Sequence, residues 1–268
     1  MCIVDDVLQY TKSSIPSIVE SKTDELAEQY EGCNCETESC SPTGGCSCID
    51  RFGPAYNSDG CLSDIAPYSD QSTPVIECND DCSCERSCFN RVVQHGVTLS
   101  LQVYDVGHKG VGVRTLQPIR RGRFVCEYSG ELVSRGSAAR RAAYADRTVH
   151  HNYLLTVREF FGTAKLLTTY VDATYVGNVG RLINHSCDPN LFVQPVRVDN
   201  AVPKVALFAL TDIPADTELA YDYGGGEDCR TESGGDYAAD EIQRRKPCLC
   251  GSPRCRLVLP RDNSPFVL

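Results

Sequence analysis

Of the seventeen cysteines in this 268-residue chain, ten crowd into residues 33–88 among Gly, Pro, Ser and Asp, with few apolar residues to build an ordinary core, and nine of those ten fall into two groups. Cys33, Cys35, Cys40, Cys46 and Cys48 form one group, and Cys78, Cys82, Cys84 and Cys88 a second; both contain C-x-C pairs. Two thiolates so spaced reach one metal ion or bridge two, whereas a disulfide between them would be badly strained. Nine sulfurs fill the twelve positions of three tetrahedral zinc ions if three of them bridge. Cys61 lies between the groups and is surplus to that count. Each structural zinc contributes about 10–16 kcal/mol, more than so few apolar residues could, so the region is expected to unfold without metal.

A disulfide knot is the competing reading, and it needs an oxidising compartment. The opening "MCIVDDVLQY" lacks the basic and long apolar regions of a signal peptide, and no apolar run approaches the roughly 18 residues of a membrane helix. An odd cysteine count cannot pair completely within one chain. The expectation is a soluble, intracellular metal protein with no membrane association.

Composition divides the rest. Residues 1–30 are an acidic N-terminal segment in which "SIVESKTDELAEQYEG" has the pattern of an amphipathic helix. The cysteine module is placed at 31–94. Residues 97–224 carry the globular signal, with "TLSLQVY", "RFVCEYSGELV", "NYLLTV", "TTYVDATYV" and "KVALFAL" read as strands and "GSAARRAAYADR" as a helix. A polar, glycine-rich connection is expected over 225–243, and a short tail module over 244–260. There "CLCGSPRC" supplies only Cys248, Cys250 and Cys255. Tetrahedral zinc wants a fourth ligand; Cys187 in "RLINHSCDPN" is a better candidate than Cys229, and would pin the tail to that stretch.

The segments "GRFVCEYSGE", "YVGNVGRLINHSCDPNL", "PKVALFALTDIPADTELAYDYG" and "KPCLCGSPRC" resemble the SET-domain protein lysine methyltransferases. The nine-cysteine block resembles the pre-SET module of the heterochromatin-type histone H3 lysine-9 enzymes, and "CLCGSPRC" their post-SET module. "RVVQ", "GRFVCEY", "PVR" and "VPK" are shared with the SET part of the SETMAR branch; no transposase domain of the SETMAR kind is expected, because the chain ends soon after the last cysteines. The implied fold is mostly β with few helices: a SET β-fold in which "NHSC" and "ELAYDY" thread together as a pseudoknot, preceded by a zinc cluster and followed by a zinc-binding tail. In that setting Glu218 and Asp222 are expected to be structural partners, not acids or bases.

The resemblance implies methyl transfer from S-adenosylmethionine to a lysine amine, with three zinc ions in the pre-SET cluster and one in the post-SET site. Tyr128, Tyr153, Tyr221 and Tyr223 match positions lining the lysine channel. Tyr223 matches the catalytic tyrosine, and Tyr221 the position where tyrosine limits product to mono- or dimethylation. Lys109, Gly110 and Val111 of "HKGVG", with Tyr153, Arg181, Asn184 and His185, match cofactor-binding positions. The family commonly has Trp where this chain has Val111; main-chain contacts survive that change and the stacking contact does not follow. "VRTLQPI" after the glycines does not read as a helix, which excludes a Rossmann fingerprint.

The formal charge of −10 suits a basic partner such as a histone H3 tail and disfavours nonspecific nucleic-acid binding by the body of the chain. Thirteen thiolates and four zinc ions would take it to −15. No direct nucleic-acid site is evident, so contact with chromatin is expected to be indirect, in the nucleus, on chromosomes. Lysine 9 is the favoured target. Another H3 lysine, a non-histone protein, or a non-catalytic SET scaffold on chromatin are the alternatives.

Overall fold

The computed structural model describes residues 8–17, 29–41, 43, 45–50, 53–63, 65, 74–148, 152–161, 165–224 and 246–260. Most of the expected N-terminal helix, the whole 225–243 connection and Cys229 lie outside them. The elements in chain order are β1 (Gln9–Tyr10), β2 (Ile15–Pro16), α1 (Ser47–Asp50), β3 (Val75–Ile76), β4 (Leu101–Asp105), β5 (Val111–Thr115), β6 (Phe124–Glu127) and β7 (Glu131–Val133). There follow α2 (Arg135–Thr148), β8 (Leu154–Phe161), β9 (Lys165–Asp172), β10 (Val176–Gly177), β11 (Asn184–His185), β12 (Leu191–Arg197), β13 (Lys204–Ala209) and β14 (Ala220–Tyr221). No described helix is long and apolar enough to cross a membrane.

The chain is mostly β, as expected. One sheet runs β11-β14-β12-β13-β6 with β3 added to β12; a second runs β2-β7-β9-β8; β4-β5 is a separate ribbon. Strand β13 is buried from Val205 to Ala209, so it reads as a continuous apolar run and not an alternating one. Strand β12 is the longest of the strands the sequence left unassigned. Pro195 weakens its signal, but that residue falls between Leu191, paired to β14, and Val196, paired to β3, where this edge of β12 has no partner strand.

Two cores result. One lies under β5, β6, β9, β12 and β13 and includes Tyr128 and Tyr221; the other joins Tyr56, Leu62 and Val75 of the cysteine module to Phe124, Phe192 and Phe208 of the large sheet. The stretch between the cysteine groups is thus the surface that docks the module. Glu77, 1% exposed, fastens the same junction by accepting from Tyr56 Oη (2.6 Å), Val92 N (3.0 Å) and Val93 N (2.7 Å).

Residues 8–17 pair with the globular part: β1 forms a two-stranded parallel sheet with β10, and β2 adds to the edge of the second sheet, parallel to β7. Ser13 Oγ and Ser14 N donate to Glu127 at 2.8 and 3.0 Å, one residue before Tyr128.

Candidate functional site

The strand β14 lies between β11 and the start of β12, in register parallel to both: Asn184 opposes Ala220, His185 opposes Tyr221, and Leu191 opposes Tyr221 from the other side. The segment 218–223 therefore passes between the two ends of the 184–191 connection, the threaded arrangement that the family likeness implied. Asn190 ties it on both sides, accepting from Ala220 N (2.9 Å) and donating to Glu218 O (2.8 Å). Threading concentrates chemistry: within six residues the strand presents Glu218, Tyr221, Asp222 and Tyr223 to three different neighbours.

Glu218 faces the glycine loop. Its carboxylate accepts from Lys109 Nζ (2.5 Å) and from Asn184 Nδ2 (3.1 Å), and that amide also donates to Val111 O (3.2 Å). The loop can come this close only because position 112 has no side chain: a Cβ there would stand 2.6 Å from Val106 Cγ2 and 2.9 Å from Asn184 Nδ2. Gly110 turns the loop with φ +76°. Val111 begins β5, so the residues after the glycines form a strand and not a phosphate-binding helix.

The four tyrosines converge from three stretches of chain: Tyr128 after β6, Tyr153 before β8, and Tyr221 and Tyr223 together at β14. Tyr221 and Tyr223 have ring centroids 4.8 Å apart, and Tyr128 Oη donates to Tyr153 O at 2.7 Å. Tyr223 Oη donates to Ile183 O at 2.8 Å. Tyr223 as a residue is 37% exposed while Tyr128 and Tyr221 are each 4%, so the group has a wet mouth and a dry floor. Burial pushes the pKa of Tyr128, Tyr221 and Tyr223 upward, which keeps their hydroxyls protonated at neutral pH. The Tyr221 hydroxyl has no hydrogen-bond partner among the described residues.

Arg181, 7% exposed, stacks its guanidinium 3.8 Å over the ring of Tyr153. Its Nε is buried without a partner, and no carboxylate lies within ion-pair distance among the described residues. A cation so placed costs free energy unless something anionic meets it. His185 is different. Its Nδ1 accepts from Tyr223 N (3.2 Å), so in the neutral ring Nε2 carries the proton, and that atom lies 3.3 Å from Cys187 Sγ. Burial holds its pKa down at about 4.

The tail meets this corner. Cys187, Cys248, Cys250 and Cys255 bring four sulfurs within 4.8 Å of one another, a group that could hold a metal ion. Arg256 N donates to Cys187 Sγ (3.3 Å), and Arg256 Nη2 donates to Asp222 Oδ1 (2.6 Å), between Tyr221 and Tyr223 in the chain. Arg254 pairs with Asp188. Sequence reasoning missed Arg256, because "CRLVL" carries no periodic or spacing signal for a partner 34 residues upstream.

The cysteine module holds three further four-sulfur groups: Cys33, Cys35, Cys40 and Cys46; Cys33, Cys48, Cys78 and Cys82; and Cys33, Cys40, Cys78 and Cys84. Cys33 belongs to all three, and Cys40 and Cys78 to two each. Cys88 lies beside them, accepting from Cys40 N at 3.3 Å. Hydrogen bonds from Cys78 hold Cys88 at about 4 and Cys48 at about 6, while burial drives Cys82 up to about 12. So many sulfurs packed together cannot all ionise without cations among them. Cys61 and Cys126 are buried and belong to none of the groups.

The chain is similar to known proteins along most of its length. A SET domain model matches residues 110–224 and a Pre-SET motif model residues 4–91. The histone-lysine N-methyltransferase SETMAR of Rattus norvegicus is 44% identical over 236 residues, which cover 88% of this chain and 74% of that protein. The human SETMAR protein is also 44% identical, but the match spans only 34% of its length. The probable histone-lysine N-methyltransferase set-23 of Caenorhabditis elegans is 39% identical over 95% of this chain and 97% of its own. The H3 lysine-9 specific enzyme SUVH5 of Arabidopsis thaliana is 36% identical over 84% of this chain and 26% of its own. Among solved structures, the methyltransferase domain of human SETMAR superposes with a TM-score of 0.76 at 39% identity, covering 95% of this chain and 90% of that one. Arabidopsis thaliana SUVH6 in complex with SAM gives 0.72 at 31% identity, covering 95% and 50%.

Proposed function

The chain belongs to the SET-domain histone-lysine methyltransferases, and from that premise we propose that it methylates a lysine of the histone H3 tail, lysine 9 favoured, stopping at mono- or dimethylation. The observation that carries the reading is the convergence of Tyr128, Tyr153, Tyr221 and Tyr223 beside a buried, unpaired arginine. S-adenosylmethionine supplies the methyl group on a cationic sulfonium that leaves as a neutral thioether.

The residues present suit that molecule. Arg181 offers a buried cation with an orphaned Nε to its carboxylate, and the glycine loop at 110–112 offers a main chain with open space beside Gly110. Glu218 holds Lys109 and Asn184 in place, so Lys109 acts through the loop it anchors. With both ring nitrogens of His185 engaged by the chain, its contribution comes through its backbone. The Val111 side chain cannot stack as an indole would, which leaves Gly110 and Val111 their main-chain groups.

The tyrosines act on the lysine. An unperturbed lysine has a pKa near 10.4, so reaching the neutral amine at pH 7 costs about 4–5 kcal/mol. The buried rings of Tyr128 and Tyr221, with those of Tyr153 and Tyr223 around its stem, exclude water and disfavour the ammonium, as does the nearby sulfonium. The hydroxyl of Tyr223, fixed by Ile183 O, borders the reacting amine and orients it, and alignment then supplies much of the rate. The free hydroxyl of Tyr221 holds a water or the amine itself, filling space that a further methyl group would need.

The nine sulfurs of the cysteine module would hold three zinc ions if Cys33, Cys40 and Cys78 are each shared between two sets and Cys88 completes the third, and Cys187, Cys248, Cys250 and Cys255 would hold a fourth beside Asp222. With four thiolates on each, such ions would be structural, with no open position for substrate. The favoured target follows the SUVH relatives and the pre-SET module; SETMAR-like features leave other H3 lysines open. Mass spectrometry of a panel of methylated H3 peptides tests this. Label confined to the peptide carrying lysine 9 is expected, and label only on another lysine would reject that assignment.

A further inference from the structure

The acidic average of this chain conceals a basic helix. In α2, Arg141 turns inward and is neutralised by Glu131 and Asp172, each at 2.7 Å. Ser137, Ala138 and Ala142 are buried, Ala138 against Val133 and Tyr170. The opposite face carries Arg140, Tyr144 and Arg147 at i, i+4 and i+7, all exposed, with Tyr144 at 60%. Arg135, at the start of the helix, is exposed as well.

Several surface arginines of the chain are neutralised, Arg86 by Asp80, Arg120 by Asp59 and Arg254 by Asp188, while the side chain of Arg121 donates to the main-chain carbonyl of Leu210. On α2 the uncompensated cations are gathered on one face. Among the described residues Arg135 and Arg147 have no ion-pair or hydrogen-bond partner, and Arg140 donates only to Ser137 Oγ (2.6 Å). This is so although acidic residues outnumber basic ones 36 to 26. Arg147, in the last turn, also suits the helix dipole, but Arg140 in the middle gains nothing from it.

A lysine-rich tail would be repelled by this face, so its partner is a polyanion. We propose that the Arg140–Tyr144–Arg147 stripe docks on the phosphate backbone of duplex DNA, presenting the channel to a tail that emerges nearby. Guanidinium and phenol groups both donate to phosphate oxygens, and such contacts position without reading sequence. Helix α2 packs on β8 and β9, the strands that follow Tyr153 at the channel, so the stripe and the channel share one rigid lobe. The proposal rests on the histone reading, because that substrate is wrapped in DNA.

The test is fluorescence anisotropy of a labelled DNA duplex titrated with zinc-loaded full chain over a series of salt concentrations, beside methyl transfer to nucleosomes and to free H3-tail peptide. Binding should weaken with salt. Arg140→Ala with Arg147→Ala should make the slope of log affinity against log salt shallower by about two and depress the nucleosome rate relative to the peptide rate. Arg140→Lys with Arg147→Lys should keep most of both. No DNA binding by the native chain, or an unchanged slope in the double alanine variant, overturns the proposal. Loss on nucleosomes with DNA binding intact would also overturn it, assigning the stripe to an acidic histone surface. Salt-dependent DNA binding that needs the stripe, with no methyl transfer to any substrate, would sink the histone reading and leave the stripe standing.

Discussion

Tyr221 and Tyr223 are two residues apart in one short segment, yet their hydroxyls are treated differently: one is anchored to Ile183 O, the other has no partner among the described residues. Tyr221→Phe should therefore leave methyl transfer running and shift product toward trimethylation, read by mass spectrometry of the peptide. An unaltered product distribution would remove Tyr221 from that role. The same environment sets the pH profile. The bound lysine must be neutral, so the rate should climb with pH, about tenfold per unit while the ammonium dominates, and level off below the lysine's free pKa. Because burial raises the pKa of Tyr128, Tyr221 and Tyr223, no tyrosine ionisation should cut into that rise below about pH 10; a rate that falls between pH 7 and 9 would contradict the lysine as the controlling group. At this scale the sequence was legible where residue type and spacing carry chemistry, in the cysteine pairs and the two tyrosines. Arg256 and the orphaned Arg181 Nε were not, since both are defined by contacts across long stretches of chain.

The threaded strand and the tail form the element that unites the site. Asp222 accepts from Arg256, Arg256 N donates to Cys187, and Cys187 joins the tail sulfurs. Cys187→Ser should lose one zinc of four, by metal analysis, and most of the activity with it, because Arg256 is then released and a buried Asp222 is left unpaired at a cost of about 3 kcal/mol. Four zinc ions retained in that variant would break the link. Strands rich in Val, Thr and Tyr, and the alanine-rich helix, are visible in local composition. Strand β12 is less so, because a proline inside a strand is tolerated only by where its neighbours stop. Strands β1 and β2 are two residues each, held by partners more than a hundred residues away, and no local pattern announces them.

On the scale of the molecule, the cysteine module, whose sulfurs could hold metal, is also a buttress. Tyr56, Leu62 and Val75 cover Phe124 and Phe208, so removing zinc should not merely unravel residues 33–88. A strong chelator should lower the melting temperature of the whole and dull the near-ultraviolet tyrosine signal of the distant core in one transition. A melting curve indifferent to the chelator would show that the sulfurs hold no metal. Charge works at the same scale: an acidic bulk favours approach of a basic tail, while the exposed arginine stripe on α2 is a local exception to it.

The central claim is lysine methylation at a tyrosine-lined channel. Its most direct measurement is transfer of labelled methyl from S-adenosylmethionine to core histones by zinc-loaded protein, compared between the native chain and Tyr223→Phe. Label on histone H3 with the native chain, and none above background with a variant that keeps its zinc and its melting temperature, is the predicted result. No transfer by fully metallated native protein, or equal transfer by Tyr223→Phe, would contradict it.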